Sequence, residues 1–334
     1  MATGKKALAP LGGEEVQEIV RARVTGRKTD ASGTTFRLLL MLALLIAIII
    51  LGVLLVDQVQ TGWGALTSRE CVTRGDPEPQ TCGLTDFLTG TLRANPEDAK
   101  IGIGQGLVGT FWIGVTVVFV AFPLGVGAAV WLEEYAKKGK LTSFLELNIR
   151  NLAGVPSVVY GILGLTILVK ALDGITGGRS LISGALTLAV LVLPIVIITS
   201  AEAIRAVPNA IREAGFGVGA TRSEVIRSHV LPYAAPGILT GTVLALARAL
   251  GEAAPLILVG AITGRLAGAP ELFDLGQATE NFTAMPIVIT TWATRPEEGF
   301  VALTAAAIIV LLVVVLLANA SAILLRNYFE TKRG

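Results

Sequence analysis

The 334-residue chain contains one histidine, His229, and only two cysteines, Cys71 and Cys82. A lone imidazole excludes most zinc centres and the usual hydrolase triads, which need histidine in fixed company. Charge is scarce as well. Asp, Glu, Lys and Arg make up 16% of the residues, where soluble domains carry about 25%. The net charge of +2 is too small to hold a nucleic acid. No G-x-x-x-x-G-K-[ST] stretch occurs, so the chain has no nucleotide-cradling loop of its own. GQGLVG, Gly104 to Gly109, does satisfy G-x-G-x-x-G. That fingerprint requires a preceding strand, however, and here the glycines open an apolar helix in which small residues allow close packing. No catalytic constellation, metal-ligand set or cofactor site is legible.

Apolar residues are in excess, at 53% of the chain. They gather in blocks of about twenty, enough helix to cross a hydrocarbon core. Six blocks predict an all-α polytopic membrane protein: Phe36–Val56, Gly109–Leu132, Asn151–Val169, Leu181–Ala201, Pro236–Ala261 and Val301–Leu325. Pro123, Pro156, Pro194 and Pro255 fall inside these blocks, where neighbouring helices can satisfy the freed backbone groups. Polar Asn151 and Ser157 crowd the start of the third block together with Pro156. The first block is longer than a signal-peptide core and begins late, with no A-x-A-like site after it, so it reads as a retained anchor. The expected organisation is a polar tail at 1–35, a first span at 36–56, an external loop at 57–102 and a core of five further spans at 103–328.

Six spans place both termini on one side. That side, with the loops after the second and fourth spans, carries more than twice as many Lys and Arg as the opposite loops. The positive-inside rule therefore predicts cytoplasmic termini in a cell membrane. Cys71 and Cys82 both fall in the first external loop, where an oxidising compartment favours a disulfide closing the turn RGDPEPQTC; two free thiols are the alternative. The tail shows no sustained periodicity. A short amphipathic helix near EEVQEIVRARV, with Arg21, Arg23, Arg27 and Lys28, suits an anionic lipid surface.

The segment Ile204–Ile238 is too polar to span. Pro208 can start a helix in which Ala210, Ile211, Ala214 and Val218 recur at roughly helical spacing. Gly215, Gly217 and Gly219 then permit a turn or close approach. ATRSEVIRSHVLP supplies a second amphipathic piece, expected to end at Pro232. The whole predicts a compact knob, residues 204–233, between two spans.

This segment resembles the EAA loop of ABC importer permeases. Glu213, Ala214, Gly215, Gly219, Leu231 and Pro232 fall in its register, with Gly215 in place of the second Ala and His229 in place of the usual Ile. The likeness extends to NLAGVPSVVYGILGL, LTLAVLVLPIVI and ALARALGEAAPLI, and is greatest to PstA-type permeases of phosphate importers. It implies the type I ABC importer permease fold. It also implies a heterodimer with a sister PstC-type permease, two ATPase subunits that hold ATP and Mg, and an extracytoplasmic phosphate-binding protein. Glu213, Ala214, Gly215, Gly219 and Ala220 would then form the coupling helix that meets the ATPase. Permeases for sulfate or molybdate, and a channel or carrier working without ATP, are the rival readings.

LARALGEAAP, Leu246 to Pro255, places Arg248 and Glu252 four residues apart in an apolar run. As one continuous helix, the fifth span would put Gly241, Leu244, Ala245, Arg248, Gly251, Glu252 and Pro255 on one inward face. Val243, Leu246, Leu250 and Ile257 would take the other. An arginine at a helix centre costs about 2.5–3.5 kcal/mol on the insertion scale, whereas an i,i+4 pair returns only about 0.2–0.5 kcal/mol. Self-pairing does not account for the charges. Either Arg248 offers its donor fork to a passing phosphate, tempered by Glu252, or both charges pair with the sister subunit and hold the bundle together.

Overall fold

The computed structural model describes residues 31–73, 76–262 and 279–331. Residues 1–30, including the amphipathic stretch expected in the tail, lie outside them. Helix α1, Ala31–Thr67, begins before Phe36 and continues past Val56. The residues expected to end the tail and to begin the external loop are therefore helical. The chain divides into two compact units, residues 1–57 and 58–334. In the first unit the α1 side chains from Ser32 to Val56 are exposed and apolar all round from Leu38 to Val56, the composition of a helix meant for lipid.

In the second unit, α1 ends with Ala65 and Leu66 buried. A two-stranded antiparallel hairpin follows, β1 Arg69–Thr73 and β2 Asp76–Cys82, with Cys71 opposite Gln80 and Arg69 opposite Cys82. It is the one sheet among the described residues and an exception to the all-α expectation. A disulfide joins Cys71 to Cys82, with Cα atoms 6.0 Å apart. Helix α2, Leu84–Thr89, then seats Phe87 against Trp292, with ring centroids 6.4 Å apart. A cross-link over so short a loop stabilises by about 2–3 kcal/mol. Cys71→Ser is thus expected to release amide protection across Arg69–Cys82 while the spans keep theirs, as read by hydrogen exchange.

Helix α3, Gly104–Val130, continues as a π-helical turn, Trp131–Tyr135. It is followed by α4, Lys140–Ala153, then by α5, Ser157–Leu163, which runs on as a π-helix over Gly164–Ala171. After a single turn at Asp173–Thr176 come α6, Leu181–Arg205, α7, Asn209–Gly217, and α8, Arg222–Val225. A π-helical stretch, Ile226–Val230, leads into α9, Leu231–Gly251. The chain closes with α10, Ala254–Val259, α11, Met285–Ala293, and α12, Glu298–Thr331.

Five described helices are long and apolar enough to cross a membrane: Ser32–Thr67, Gly104–Tyr135, Leu181–Arg205, Arg222–Gly251 and Glu298–Leu324. The pair Lys140–Ala153 and Ser157–Ala171 makes a sixth span when counted as one, but it is bent by 103°. The expected third span, Asn151–Val169, is therefore broken. Ala153 ends one helix and Pro156 caps the next, because proline disfavours helical geometry in the residue before it and is welcome at a helix start. The Tyr160 hydroxyl donates to the Leu152 carbonyl at 2.9 Å across that bend.

One core cluster lies where α3, α6, α9 and α10 meet, with Ile113, Val117, Leu188, Val192, Ala245 and Leu256 buried together. Gly106 and Gly109, two of the GQGLVG glycines, instead let the start of α3 approach the chain entering α11. A Cβ on Gly109 would fall on the Thr283 carbonyl oxygen, and one on Gly106 would meet Val288. Thr110 Oγ1 accepts from the Met285 amide at 2.8 Å.

Candidate functional site

Two places gather the residues singled out in the sequence. The first is the end of α9. Its helix stops at Gly251, and Glu252 has extended backbone angles, φ −83° and ψ 118°. Helix resumes at Ala254 with Pro255 in the first turn, the one place where a missing N–H costs nothing. The expected continuous fifth span, Pro236–Ala261, is thus two helices, and Glu252 lies on neither. Non-helical backbone at membrane depth is tolerated where protein covers it or where it lines a watery cavity.

The break rearranges the expected face. Gly241 and Ala245 are buried against α6, whereas Leu244, Arg248 and Gly251 form an exposed stripe with Thr240. Of the residues assigned to the opposite face, Leu250 is buried, Val243 and Leu246 half-buried and Ile257 exposed. Arg248 Nε still reaches Glu252 Oε1 at 3.3 Å, with side chains 42% and 22% exposed. Among the described residues the two Nη nitrogens of Arg248 make no hydrogen bond. Opposite α10, Gly161 of α5 lies so close that a Cβ would touch Pro255 and Leu258. The two broken helices therefore pack on each other, with Val155 and Ala253 from their breaks on the same core cluster.

The second place is the knob between α6 and α9. Pro208 caps α7 as expected. Glu213 and Ala214 are exposed, Gly215 is buried, Gly219 exposed and Ala220 half-buried. Gly215 stands where a Cβ would press into Val225, a physical reason for glycine at that position. Gly219 has φ +84°, the left-handed region that other residues enter at a cost. Thr221 caps α8, and its amide donates to Glu224 Oε2 at 2.8 Å. Of the predicted apolar stripe Ala210, Ile211, Ala214 and Val218, only Ile211 packs on the core, and the other three are exposed. Ile211 and Arg212 face inward, while Ala214, Phe216 and Val218 point outward. Nor does the second piece end at Pro232, which sits in the first turn of α9 as the helix continues through it.

Sequence reasoning missed the partners of this knob. Glu133 binds Arg205, Glu134 binds Arg212, and Tyr135 lies under Arg222 at 5.2 Å from ring centroid to guanidinium carbon. A signal was there: WLEEY ends an apolar span with two adjacent carboxylates, while the polar segment beyond α6 is rich in arginine.

The family profile described as "Binding-protein-dependent transport system inner membrane component" matches residues 121–332. The chain belongs to this family. It is a membrane-embedded permease subunit of an ABC importer. The permease is 37% identical over 174 residues to the probable ABC transporter permease protein YqgI of Bacillus subtilis, covering 52% of this chain and 58% of YqgI. The match thus spans less than two thirds of that relative. It is 33% identical over 235 residues to the phosphate transport system permease protein PstA of Xylella fastidiosa, covering 70% and 78% of the two chains. Among solved structures, a bacterial ABC transporter involved in the import of the acidic polysaccharide alginate aligns with TM-score 0.56 at 18% identity, over 87% of this permease and 97% of that chain. That likeness is one of fold.

Proposed function

We propose that this permease is the PstA-like subunit of an ATP-driven importer of inorganic phosphate in the cell membrane. The observation that carries the reading is the match to PstA-named relatives over two thirds of the chain, joined to an arginine on the exposed stripe of α9 whose Nη nitrogens make no hydrogen bond among the described residues. A PstC-named relative, from Mesorhizobium japonicum, is 33% identical over 180 residues, which supports a related sister subunit as partner. In this reading the exposed stripe of α9 faces that sister, and the two chains enclose the path between them. Arg248 meets the phosphate oxygens through paired N–H donors, a geometry that suits a tetrahedral oxyanion. Glu252 holds Nε and limits the net positive charge, so that the anion can leave. The knob, with Glu213, Ala214 and Gly219, faces the cytoplasm as the coupling helix of the importer. Two separate ATPase subunits, which themselves hold ATP and Mg, grip the coupling loops of the permease pair, and a phosphate-binding protein delivers the ion at the opposite face. The basic excess on the side of the knob supports cytoplasmic termini.

The test is recovery of the partners followed by competition. An ATPase and a second permease should co-purify with the chain, and unlabelled phosphate should displace radiolabelled phosphate uptake where sulfate and molybdate do not. Equal competition by sulfate would move the reading to another oxyanion. Uptake with no ATPase in the complex would move it to a channel or carrier.

A further inference from the structure

We propose that the π-helical turn Trp131–Tyr135 is the joint through which movement of the knob enters the spans, with Glu134 as its positioning residue. The inference rests on the importer reading above. Three successive residues of the turn each hold an arginine, and each arginine sits on a different element. Glu133 takes Arg205, at the end of α6, in a two-point pair, with Nε 3.2 Å from Oε2 and Nη2 on Oε1. Glu134 Oε1 accepts from Nε and Nη2 of Arg212 on α7, at 3.0 and 2.8 Å. Tyr135 lies beneath Arg222, the first residue of α8. The turn ends the helix, with Ala136 extended after it, and it brings α6, α7 and α8 onto the end of α3.

The middle pair is the most enclosed. The Glu134 side chain is 8% exposed and that of Arg212 18%, and a carboxylate so enclosed demands a cation. Arg212 also donates from Nη1 to the Val207 carbonyl at 2.7 Å and from Nη2 to the Ile204 carbonyl at 2.9 Å. It thereby occupies acceptors at the C-terminal end of α6, where a positive charge is favoured. One guanidinium thus ties α7 to α3 and α6 together. Around it Ala129, Ile204, Val207, Val225 and Val230 form a buried apolar cluster. A push on α7 therefore moves the ends of α3 and α6 with it, and α3 carries the displacement along its length to the glycine contacts at its far end. Coupling of this kind needs contiguous packed elements with fixed ion pairs between them.

The experiment uses the complete complex in proteoliposomes, with uptake of radiolabelled inorganic phosphate and ATP hydrolysis measured on the same sample. Glu134→Gln keeps the side-chain shape and removes the charge. ATPase recovery should stay at the native ratio and hydrolysis should persist, while phosphate taken up per ATP falls about tenfold. Tyr135→Leu and Arg205→Gln change exposed side chains and should lower the same ratio by a smaller factor. If Glu134→Gln fails to assemble, these two decide the matter. An unchanged ratio in both, or uptake and hydrolysis falling in step, overturns the proposal. A native chain that recovers no ATPase overturns the importer reading instead, before any variant is compared.

Discussion

Arg248→Gln is expected to lower phosphate uptake by about a hundredfold, the loss of two charge-assisted hydrogen bonds to the passing anion, while the sister permease and the ATPase still assemble with the chain. The side chain is 42% exposed in the single subunit, on an exposed stripe with Thr240, Leu244 and Gly251. Its removal leaves no cavity in the core. Arg248→Lys should be nearly as damaging, because a point charge on a flexible stem does not reproduce a planar two-donor fork. Glu252→Gln should do less harm, since it keeps an acceptor for Nε at the break between α9 and α10. Radiolabelled uptake and subunit stoichiometry, measured together, distinguish this from a purely architectural role. Loss of the sister subunit from the Arg248→Gln complex would show that the charge holds the bundle together and does not meet the ion.

Gly109→Val is expected to give the largest loss of stability, about 3 kcal/mol or more, at or beyond the upper end of what overpacking usually costs. The added Cβ falls on the carbonyl oxygen of Thr283, a backbone atom that cannot rotate away. Thr110 beside it binds the Met285 amide, so backing away from the clash would also break a buried hydrogen bond. Thermal unfolding of the purified chain in detergent reads the effect directly. Gly127→Ala in the same helix is the control. A Cβ there meets nothing within 4 Å, and replacing a mid-helix glycine by alanine should raise stability by about 0.5–1 kcal/mol. Equal destabilisation by both changes would mean that helix flexibility, not close approach, is what the glycines of α3 provide.

The sequence by itself determined the solvent, the class and most of the span count. Blocks of some twenty apolar residues have only one low-energy state in lipid, and the glycines and Pro208 marked the knob because local backbone geometry favours those residue types, while the Glu213–Gly219 register was legible only as a resemblance to the EAA loop. It also found the Arg248–Glu252 pair, which stands out against apolar neighbours. Only the tertiary structure decided where the spans break. Pro156 and Pro255 are as easily read inside a helix, like Pro123 and Pro194, as at its start, and the choice depends on which neighbours cover the freed carbonyls. The break after Gly251 takes Glu252 off the helical wheel, and α6 covers Gly241 and Ala245 while leaving Arg248 open. The grip of Glu133, Glu134 and Tyr135 on Arg205, Arg212 and Arg222 was equally out of reach. Those residues are separated by more than seventy positions in the chain, and no local periodicity records a contact made only by folding.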